Sequence, residues 1–211
     1  MTTHGRGGLK RAVFGSVTER VFARCKVPVL ALRDGRETSD QIRTILVPMN
    51  DSLGSAQSLG GAKVLARATG ARIELLHVVE PLVRYFQGRY IEPEWEENIR
   101  VKAERDMKDL ATALIDLGYV ADGRALLGNP SSTIVKTAQD IGAHLVVMTT
   151  TGHTRVARAI LGSVADEVLR TADVPVMLLH FNVEQGLLAL RQSAAEAGAS
   201  VGQPAETGSA G

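Results

Sequence analysis

Residues 144–180 have the sequence HLVVMTTTGHTRVARAILGSVADEVLRTADVPVMLLH. Two short apolar runs, at residues 144–149 and Val174–Leu179, flank a glycine-containing loop and a segment with apolar residues at helical spacing. Continuously apolar strands are typical of parallel sheets covered on both faces, and a helix between two of them forms a βαβ unit. The segment therefore predicts a parallel strand, a helix over Arg158–Thr171 and a second parallel strand.

The first 33 residues of the chain repeat the end of this segment, beginning at Met148. Aligned without a gap, residues 1–33 and residues 148–180 share 14 identical positions. Chance would give roughly two or three matches in a stretch of this length. We therefore interpret residues 1–33 as the end of an earlier repeat unit, whose beginning is missing from this sequence.

Strands and helices alternate through one complete unit, which we place at residues 42–180. The predicted strands are Arg43–Asn50, Ala71–Pro81, Tyr119–Leu127, His144–Thr149 and Val174–Leu179. The predicted helices are Ser55–Thr69, Glu96–Leu117, one running from the Gly128–Ser132 cap to about Ile141, and Arg158–Thr171, with a loop or partial helix at residues 82–94. This alternation predicts an α/β fold, an open five-stranded parallel sheet in the order 3-2-1-4-5 with helices on both faces.

Four segments are expected along the chain. They are a fragment at residues 1–33 with a helix (Leu9–Arg24) and an edge strand (Val27–Leu32), a linker at 34–41, the complete domain at 42–180, and a tail at 181–211. The tail is rich in Ala, Gly, Ser and Glu, a composition typical of disorder beyond a short helix.

Composition excludes several classes of protein. The 24 Lys and Arg residues nearly balance the 23 Asp and Glu residues, so no basic excess indicates a nucleic-acid binder. A single cysteine, Cys25, excludes a disulfide framework and a cysteine-rich zinc site. No apolar run approaches the length of a transmembrane helix, and the N-terminus lacks the apolar core of a signal peptide. We expect a cytoplasmic protein that binds neither nucleic acid nor membrane.

The predicted strand order reverses between the first and fourth strands. Ligands of open α/β sheets bind beyond the carboxyl ends of strands at such a point, which directs attention to the loops Met49–Ser52 and Thr149–Ser163. Backbone N–H groups near Gly152 and Gly162 could cradle an anion, with positive charge supplied by His153, Arg155 and Arg158. The alternative is a solvated polar loop in which glycine serves only the turn. The Gly-Lys-Ser/Thr of a P-loop is missing from this stretch.

Four motifs carry a resemblance to a known family. They are ILVPMNDS (Ile45–Ser52), LLHVVEP (Leu75–Pro81), GNPSSTIVKTAQDIGAHLVVM (Gly128–Met148) and GHTRVARAILGSVADEVLRTADVPVMLL (Gly152–Leu179). In this order they make residues 42–180 resemble a whole domain of the universal stress protein family, which has a Rossmann-like fold, and residues 1–33 resemble a fragment of a second, tandem domain.

The resemblance implies an ATP site, with Mg²⁺ accompanying the nucleotide and no other cofactor. The nucleotide-binding branch of the family has the pattern Gly-x2-Gly-x9-Gly-Ser/Thr, and here the first glycine is replaced by Thr149. The family's acidic residue at the end of the first strand, which faces the adenine, is replaced by Asn50, whose side-chain carbonyl could accept from the adenine amino group. The implied nucleotide-binding residues are Pro48, Asn50, Val78, Thr149, Gly152, Gly162 and Ser163.

The remaining polar residues predict neither a metal site nor a catalytic triad. His77 lies on an apolar strand and is interpreted as a core or pocket-edge residue, and the other histidines lack metal-ligand spacing with carboxylates or Cys25. Ser163 has no identifiable base. The charged segment Glu94–Lys108 is interpreted as a solvated helix face, supported by the i,i+4 pair Glu104 and Lys108.

Three functions follow from these observations. The first is a non-enzymatic, adenine-nucleotide-binding regulatory module of the stress response. The alternative is a nucleotide-independent dimerisation or interaction module of the same fold.

The second function depends on the edge strand. In the family the fifth strand pairs with that of a partner, so Val27–Leu32 could cover Val174–Leu179 in cis or recruit a second chain as a homodimer. The third is an enzyme acting on ATP, for which only Asp51 is a plausible Mg²⁺ carboxylate.

Overall fold

The computed structural model describes residues 27–32, 41–50, 52–81, 85–86, 89–90, 93–149 and 162–180, and residues 182, 184, 188, 189 and 191. The strands are β1 (Val29–Ala31), β2 (Thr44–Met49), β3 (Arg72–Val79), β4 (Tyr85–Phe86), β5 (Arg89–Tyr90), β6 (Ala121–Leu127), β7 (Leu145–Thr149) and β8 (Val176–Leu179). The helices are α1 (Leu53–Thr69), α2 (Pro93–Asp116), α3 (Pro130–Asp140) and α4 (Ser163–Thr171).

The main sheet has six strands in the order β1-β8-β7-β2-β3-β6. The five strands that residues 42–180 contribute to this sheet are mutually parallel, and β1 is antiparallel to β8 at the edge. The predicted α/β class with a largely parallel sheet is therefore confirmed, while the count differs in detail because β1 adds a sixth, antiparallel strand. A separate pair, β4 with β5, forms a two-stranded antiparallel sheet.

Two predicted element boundaries are wrong. Residues 82–94 were expected to form a loop or partial helix, but residues 85–86 and 89–90 pair as strands and α2 already begins at Pro93. The clustered aromatic residues of this stretch favour pairing, and proline is tolerated in the first turn of a helix. The predicted helix Arg158–Thr171 is interrupted at Gly162, which is extended (φ −61°, ψ 146°) and caps α4, so α4 begins at Ser163; residues 158–161 lie outside the described residues.

Alternation along the strands divides the core into two layers. On one face of the sheet, Leu46 and Leu76 pack with Ile134 of α3 and Val168 of α4. On the other face, side chains of the same strands pack with Leu59 of α1 and Leu114 of α2; the strand residues are Ile45, Val47, Ile73 and Leu75. Residues 45–47 (ILV) are at most 1% exposed, because helices cover both faces of β2. A strand that is covered on both faces has a continuously apolar sequence.

Local signals in the sequence place the helices. Ser52 is the N-cap of α1 and its side chain accepts from the Ser55 N–H, while Gly70 ends the helix in the left-handed region at φ 72°. Gly123 allows α2 to lie directly on β6, because a Cβ there would collide with the backbone of Met107. No helix in the described part of the chain is long and apolar enough to cross a membrane.

The edge strands β1 and β8 occupy corresponding positions in the alignment of residues 1–33 with residues 148–180. Leu30 lies opposite Met177, its own counterpart in the alignment, and the flanking pairs are Val29 with Leu178 and Ala31 with Val176. This register relates the two strands by a local two-fold axis. Ala31 is 7% exposed and belongs to the core layer under α3 and α4, so β1 contributes to the core as well as covering the edge.

Candidate functional site

A cleft opens at the carboxyl ends of the central strands β2 and β7. Successive residues of β2 turn their backbone groups to opposite neighbours, since Arg43 accepts from Arg72 on the β3 side and Thr44 accepts from His144 on the β7 side. Pro48 falls among the residues that face β7 and has no N–H to donate. The registered pairs between β2 and β7 stop at Leu46 with Val146, two residues before this proline.

The cleft has a volume of about 400 Å³, within the range of small-molecule sites. Six of the seven predicted nucleotide-binding residues line it together: Pro48, Asn50, Val78, Thr149, Gly162 and Ser163. The seventh, Gly152, lies outside the described residues, as do Asp51 and the basic residues His153, Arg155 and Arg158.

The floor of the cleft is apolar. Side chains from three strands and one helix form it, all on the face of the sheet that α3 and α4 cover: Pro48, Leu76, Val78, Met148 and Ile134. A floor of this kind favours a flat, weakly polar group such as a nucleobase, with specificity supplied by polar groups at the rim.

Three helix N-termini reach the rim. Ser52 before α1, Pro130 at the start of α3, and Gly162 with Ser163 at the start of α4 all line the cleft. Gly162, the N-cap of α4, makes no side-chain capping bond, and the first helical bond runs from Asp166 N–H to Gly162 C=O. The earlier N–H groups of α4 therefore lack helical partners, an arrangement that favours an anion.

Asn50 is held by two serines at the start of α1. Its Oδ1 accepts from Ser52 N–H at 3.1 Å, from Ser52 Oγ at 2.5 Å and from Ser55 Oγ at 2.5 Å. Its own N–H donates to Ser55 Oγ at 2.9 Å. The carbonyl oxygen that was predicted to accept from an adenine amino group is therefore already used within the protein.

A second polar chain fixes α3 to α4. Ser131 is 2% exposed, and its hydroxyl lies 2.7 Å from Asn129 Oδ1 and 2.6 Å from Glu167 Oε2. Asn129 caps α3 and Glu167 lies on α4, so the contact holds the N-terminal regions of the two helices in a fixed relation.

Sequence reasoning missed three polar residues at the cleft, Ser55, Ser58 and Glu80, and gave no individual role to Ser52, which lies in the loop Met49–Ser52 that was expected to face a ligand. Glu80 brings an exposed carboxylate to the end of β3. The serines had a signal, because their spacing of three places them in the first turns of a helix that begins at the switch point. Glu80 lies in the motif LLHVVEP, and no sequence signal distinguished it from an ordinary surface carboxylate.

The carboxyls with shifted pKa values lie on α2, away from the cleft. Hydrogen bonds from Arg100 hold the pKa of Glu97 and of Glu104 below their ordinary range. The predicted pair of Glu104 with Lys108 is present at 3.1 Å, and Arg100 also donates to the Ala125 carbonyl of β6 at 3.4 Å. This network stabilises α2 on the sheet and contributes no lining residue to the cleft.

The described histidines and carboxylates form no metal site. His77 is half-buried on β3 and is not among the residues that line the cleft, while His144 and His180 each have a buried Nδ1 without a partner. Within the described ranges, no group of three or more His, Cys, Asp or Glu side chains could hold a metal ion.

The fold and the cleft define a class, the doubly wound α/β proteins that bind ligands at the switch point of a parallel sheet. The universal stress protein family model matches residues 1–33 and 41–180. The chain belongs to the universal stress protein family.

Known proteins of the family are similar to this chain. A universal stress protein of Thermus aquaticus is 33% identical over 139 residues, covering 65% of this chain and 98% of that protein. The structure of MJ0577, a universal stress protein of Methanocaldococcus jannaschii, has a TM-score of 0.55 at 24% identity and covers 67% of this chain and 98% of its own. One from Archaeoglobus fulgidus has a TM-score of 0.65 at 23% identity and covers 87% of this chain and 60% of its own.

Proposed function

We propose that the cleft binds an adenine nucleotide, ATP with Mg²⁺, and that the chain is a non-enzymatic regulatory module of the stress response. The observation that carries the proposal is the meeting of six implied nucleotide-binding residues around one cleft with an apolar floor and three helix N-termini. Bound nucleotide would act by changing the shape of the cleft rim or the partners it contacts.

Each part of a nucleotide has a complementary part of the cleft. The floor at Val78 and Leu76 suits the base, and the α4 N-terminus with Ser163 suits the phosphates. The first turn of α4 contains one acidic residue, Asp166, whose carboxylate accepts from Arg170 at 2.9 and 3.0 Å, whereas the first turns of α1 and α3 contain none. Thr149 replaces a glycine at the end of β7 and adds a hydroxyl that can donate to a phosphate.

The test begins with freshly purified protein. We expect denaturation to release adenine nucleotide, identified by chromatography, and added Mg-ATP to raise the melting temperature of nucleotide-free protein. Ligand at 100 times its dissociation constant stabilises the fold by about 2.7 kcal/mol, a shift of several degrees. Ser163→Ala should reduce the shift and Ser132→Ala should not, since both serines are exposed in the first turn of a helix but only Ser163 lines the cleft. No released nucleotide and no shift at millimolar Mg-ATP would contradict the proposal.

A second function, a nucleotide-independent dimerisation or interaction module, is favoured by the pairing of β1 with β8. We propose a chain divided into a tandem fragment at 1–33, a linker at 34–41, a domain at 42–180 and a tail at 181–211. In it β1 covers the edge of β8 in the way a partner's strand would, since β1 and β8 are equivalent repeat segments paired about a two-fold axis.

Deletion of residues 1–36 tests this function. It should expose the edge of β8 and convert the protein to a dimer or to aggregates, measured by size-exclusion chromatography with light scattering. Unchanged oligomeric state and solubility would show that β1 protects nothing. A full-length protein that is already a dimer would instead favour recruitment of a second chain.

A further inference from the structure

The strand β6 ends the main sheet on the side opposite β1, and within the described residues no strand pairs with its outer edge. Its even-numbered residues turn their backbone groups to β3, as the bonds of Val120 and Gly128 at its two ends show. The backbone groups of residues 121, 123, 125 and 127 therefore face outward. A row of outward N–H and C=O groups is a template on which a strand of another chain can pair.

Two charged side chains occupy this edge. The carboxylate of Asp122 accepts from Gly123 N–H at 2.8 Å, and Arg100 of α2 donates to the carbonyl oxygen of Ala125 at 3.4 Å. At a hydrogen-bonded position of an antiparallel pair, a residue exchanges both its N–H and its C=O with its partner. Gly123 already uses its donor and Ala125 already uses its acceptor, so neither residue can form such a pair.

An ion cluster away from the cleft holds the Asp122 carboxylate in place. Its Oδ2 lies 3.4 Å from Arg72 and 4.0 Å from Arg124. Both arginines contact Glu74, at 2.5 and 2.9 Å, and Glu74 is 5% exposed. A buried carboxylate is costly unless it is paired in this way. Glu74 therefore fixes the two arginines, and the arginines fix the side chain that caps the edge.

Close packing of α2 on β6 brings Arg100 to the edge. Gly123 has no side chain to separate β6 from the backbone of Met107, so α2 lies directly on the strand. The guanidinium of Arg100 is then held by Glu97 at 2.6 Å and by Glu104 at 2.5 Å. Both caps are thus fixed by neighbouring charges before any other chain approaches.

We propose that Asp122 and Arg100 close the edge of β6 to strands of other chains, so that strand pairing between chains is confined to the opposite end of the sheet, at β1 and β8. A sheet with two edges open to strands can add chains at both ends, whereas a sheet with one closed edge stops at a pair. The inference goes beyond both proposed functions, because it concerns the end of the sheet that neither of them uses.

The experiment compares the masses of full-length variants by size-exclusion chromatography with light scattering. Asp122→Ala combined with Arg100→Met removes both caps, and its mass should be at least about twice that of the unsubstituted protein at the same concentration, because two β6 edges can then pair. Asp106→Ala combined with Lys102→Met is the matched control. These two residues form an exposed ion pair on α2 at 2.8 Å, and its removal also leaves the net charge unchanged, so the control should keep the original mass.

Hydrogen exchange locates the new contact. In the unsubstituted protein the outward amide of Ala125 should exchange faster than the amides of Arg124 and Leu126, which face β3. In the double variant the Ala125 amide should become protected as a second chain pairs with it. Asp122→Asn keeps an acceptor for Gly123 N–H, and this variant should keep the original mass.

Three results would overturn the proposal. The first is an unchanged mass in a double variant that melting curves show to be folded. The second is an Ala125 amide that exchanges as slowly as its neighbours in the unsubstituted protein, because a strand would then occupy the edge in spite of the caps; this measurement decides alone if the double variant does not fold. The third is association of Asp122→Asn to the same extent as the double variant, which would assign the effect to charge and not to the capping bond.

Discussion

The two flanks of β2 differ. Toward β3, six residue pairs stay in register from Thr44 with Arg72 to Met49 with His77, whereas toward β7 only two pairs form. The sheet is therefore continuous between β2 and β3 and open between the carboxyl ends of β2 and β7. The first residue on the open side without an N–H is Pro48, and the next, Asn50, turns its N–H to Ser55 instead of to β7. The cleft therefore forms where β2 donates no backbone N–H bond to β7, at residues 48 and 50.

The largest expected effect is on the free energy of unfolding, and it distinguishes the paired part of β2 from its open end. Leu46 is 1% exposed and lies at the last registered pair with β7, under α3 and α4, so Leu46→Ala should lower the free energy of unfolding by about 2–5 kcal/mol. Met49 is half-buried at the end of β2, beyond the last registered pair with β7, and packs in the other core layer, so Met49→Ala should cost clearly less. Urea denaturation measures both. Equal losses would mean that the open end of β2 is packed as tightly as the closed end.

The sequence predicted the strands and helices of the main sheet well. Ile45, Val47 and the other buried residues belong to strands that are covered on both faces, and such strands are continuous apolar runs that can be recognised without a structure. The glycines and serines that end and cap helices are local signals of the same kind. The short strands at 85–90 were missed because two-residue strands have too little periodicity to recognise.

The candidate site was predicted as a set of residues but not as a set of interactions. Pro48, Asn50 and Thr149 could be placed together because the carboxyl ends of parallel strands meet at one edge. The Asn50 amide is oriented by Ser52 and Ser55, two and five residues further along the chain, so this interaction had a local signal in the serine spacing that was not used. The contact of Ser131 with Glu167 spans 36 residues and leaves no local pattern.

An intermediate effect is expected from the contact that holds the helices over the open flank. Ser131→Ala removes the buried hydroxyl between Asn129 and Glu167, which should cost about 0.5–1.5 kcal/mol, the range for one net hydrogen bond, because both partners are exposed and water can replace the lost donor. Since α3 and α4 both reach the cleft rim, Mg-ATP affinity should fall as well. Ser132→Ala, at an exposed position one residue on, is the control. Lost stability with unchanged affinity would show that the contact supports the fold but not the cleft.

The smallest effect on stability, and the most direct test of the open flank, is expected from Pro48→Ala. The new N–H faces β7 and can extend the pairing of β2 with β7, so the free energy of unfolding should change by less than about 1 kcal/mol, because a regained bond offsets the lost proline ring. Hydrogen exchange should show a protected amide at position 48, and Mg-ATP affinity should fall several-fold as the cleft narrows. Pro130→Ala is the control, since Pro130 also lines the cleft but occupies the first position of α3, where an added N–H has no strand to join. Rapid exchange at position 48 with unchanged affinity would mean that the helices above β2 and β7 hold these strands apart, and that Pro48 is not the cause of their separation.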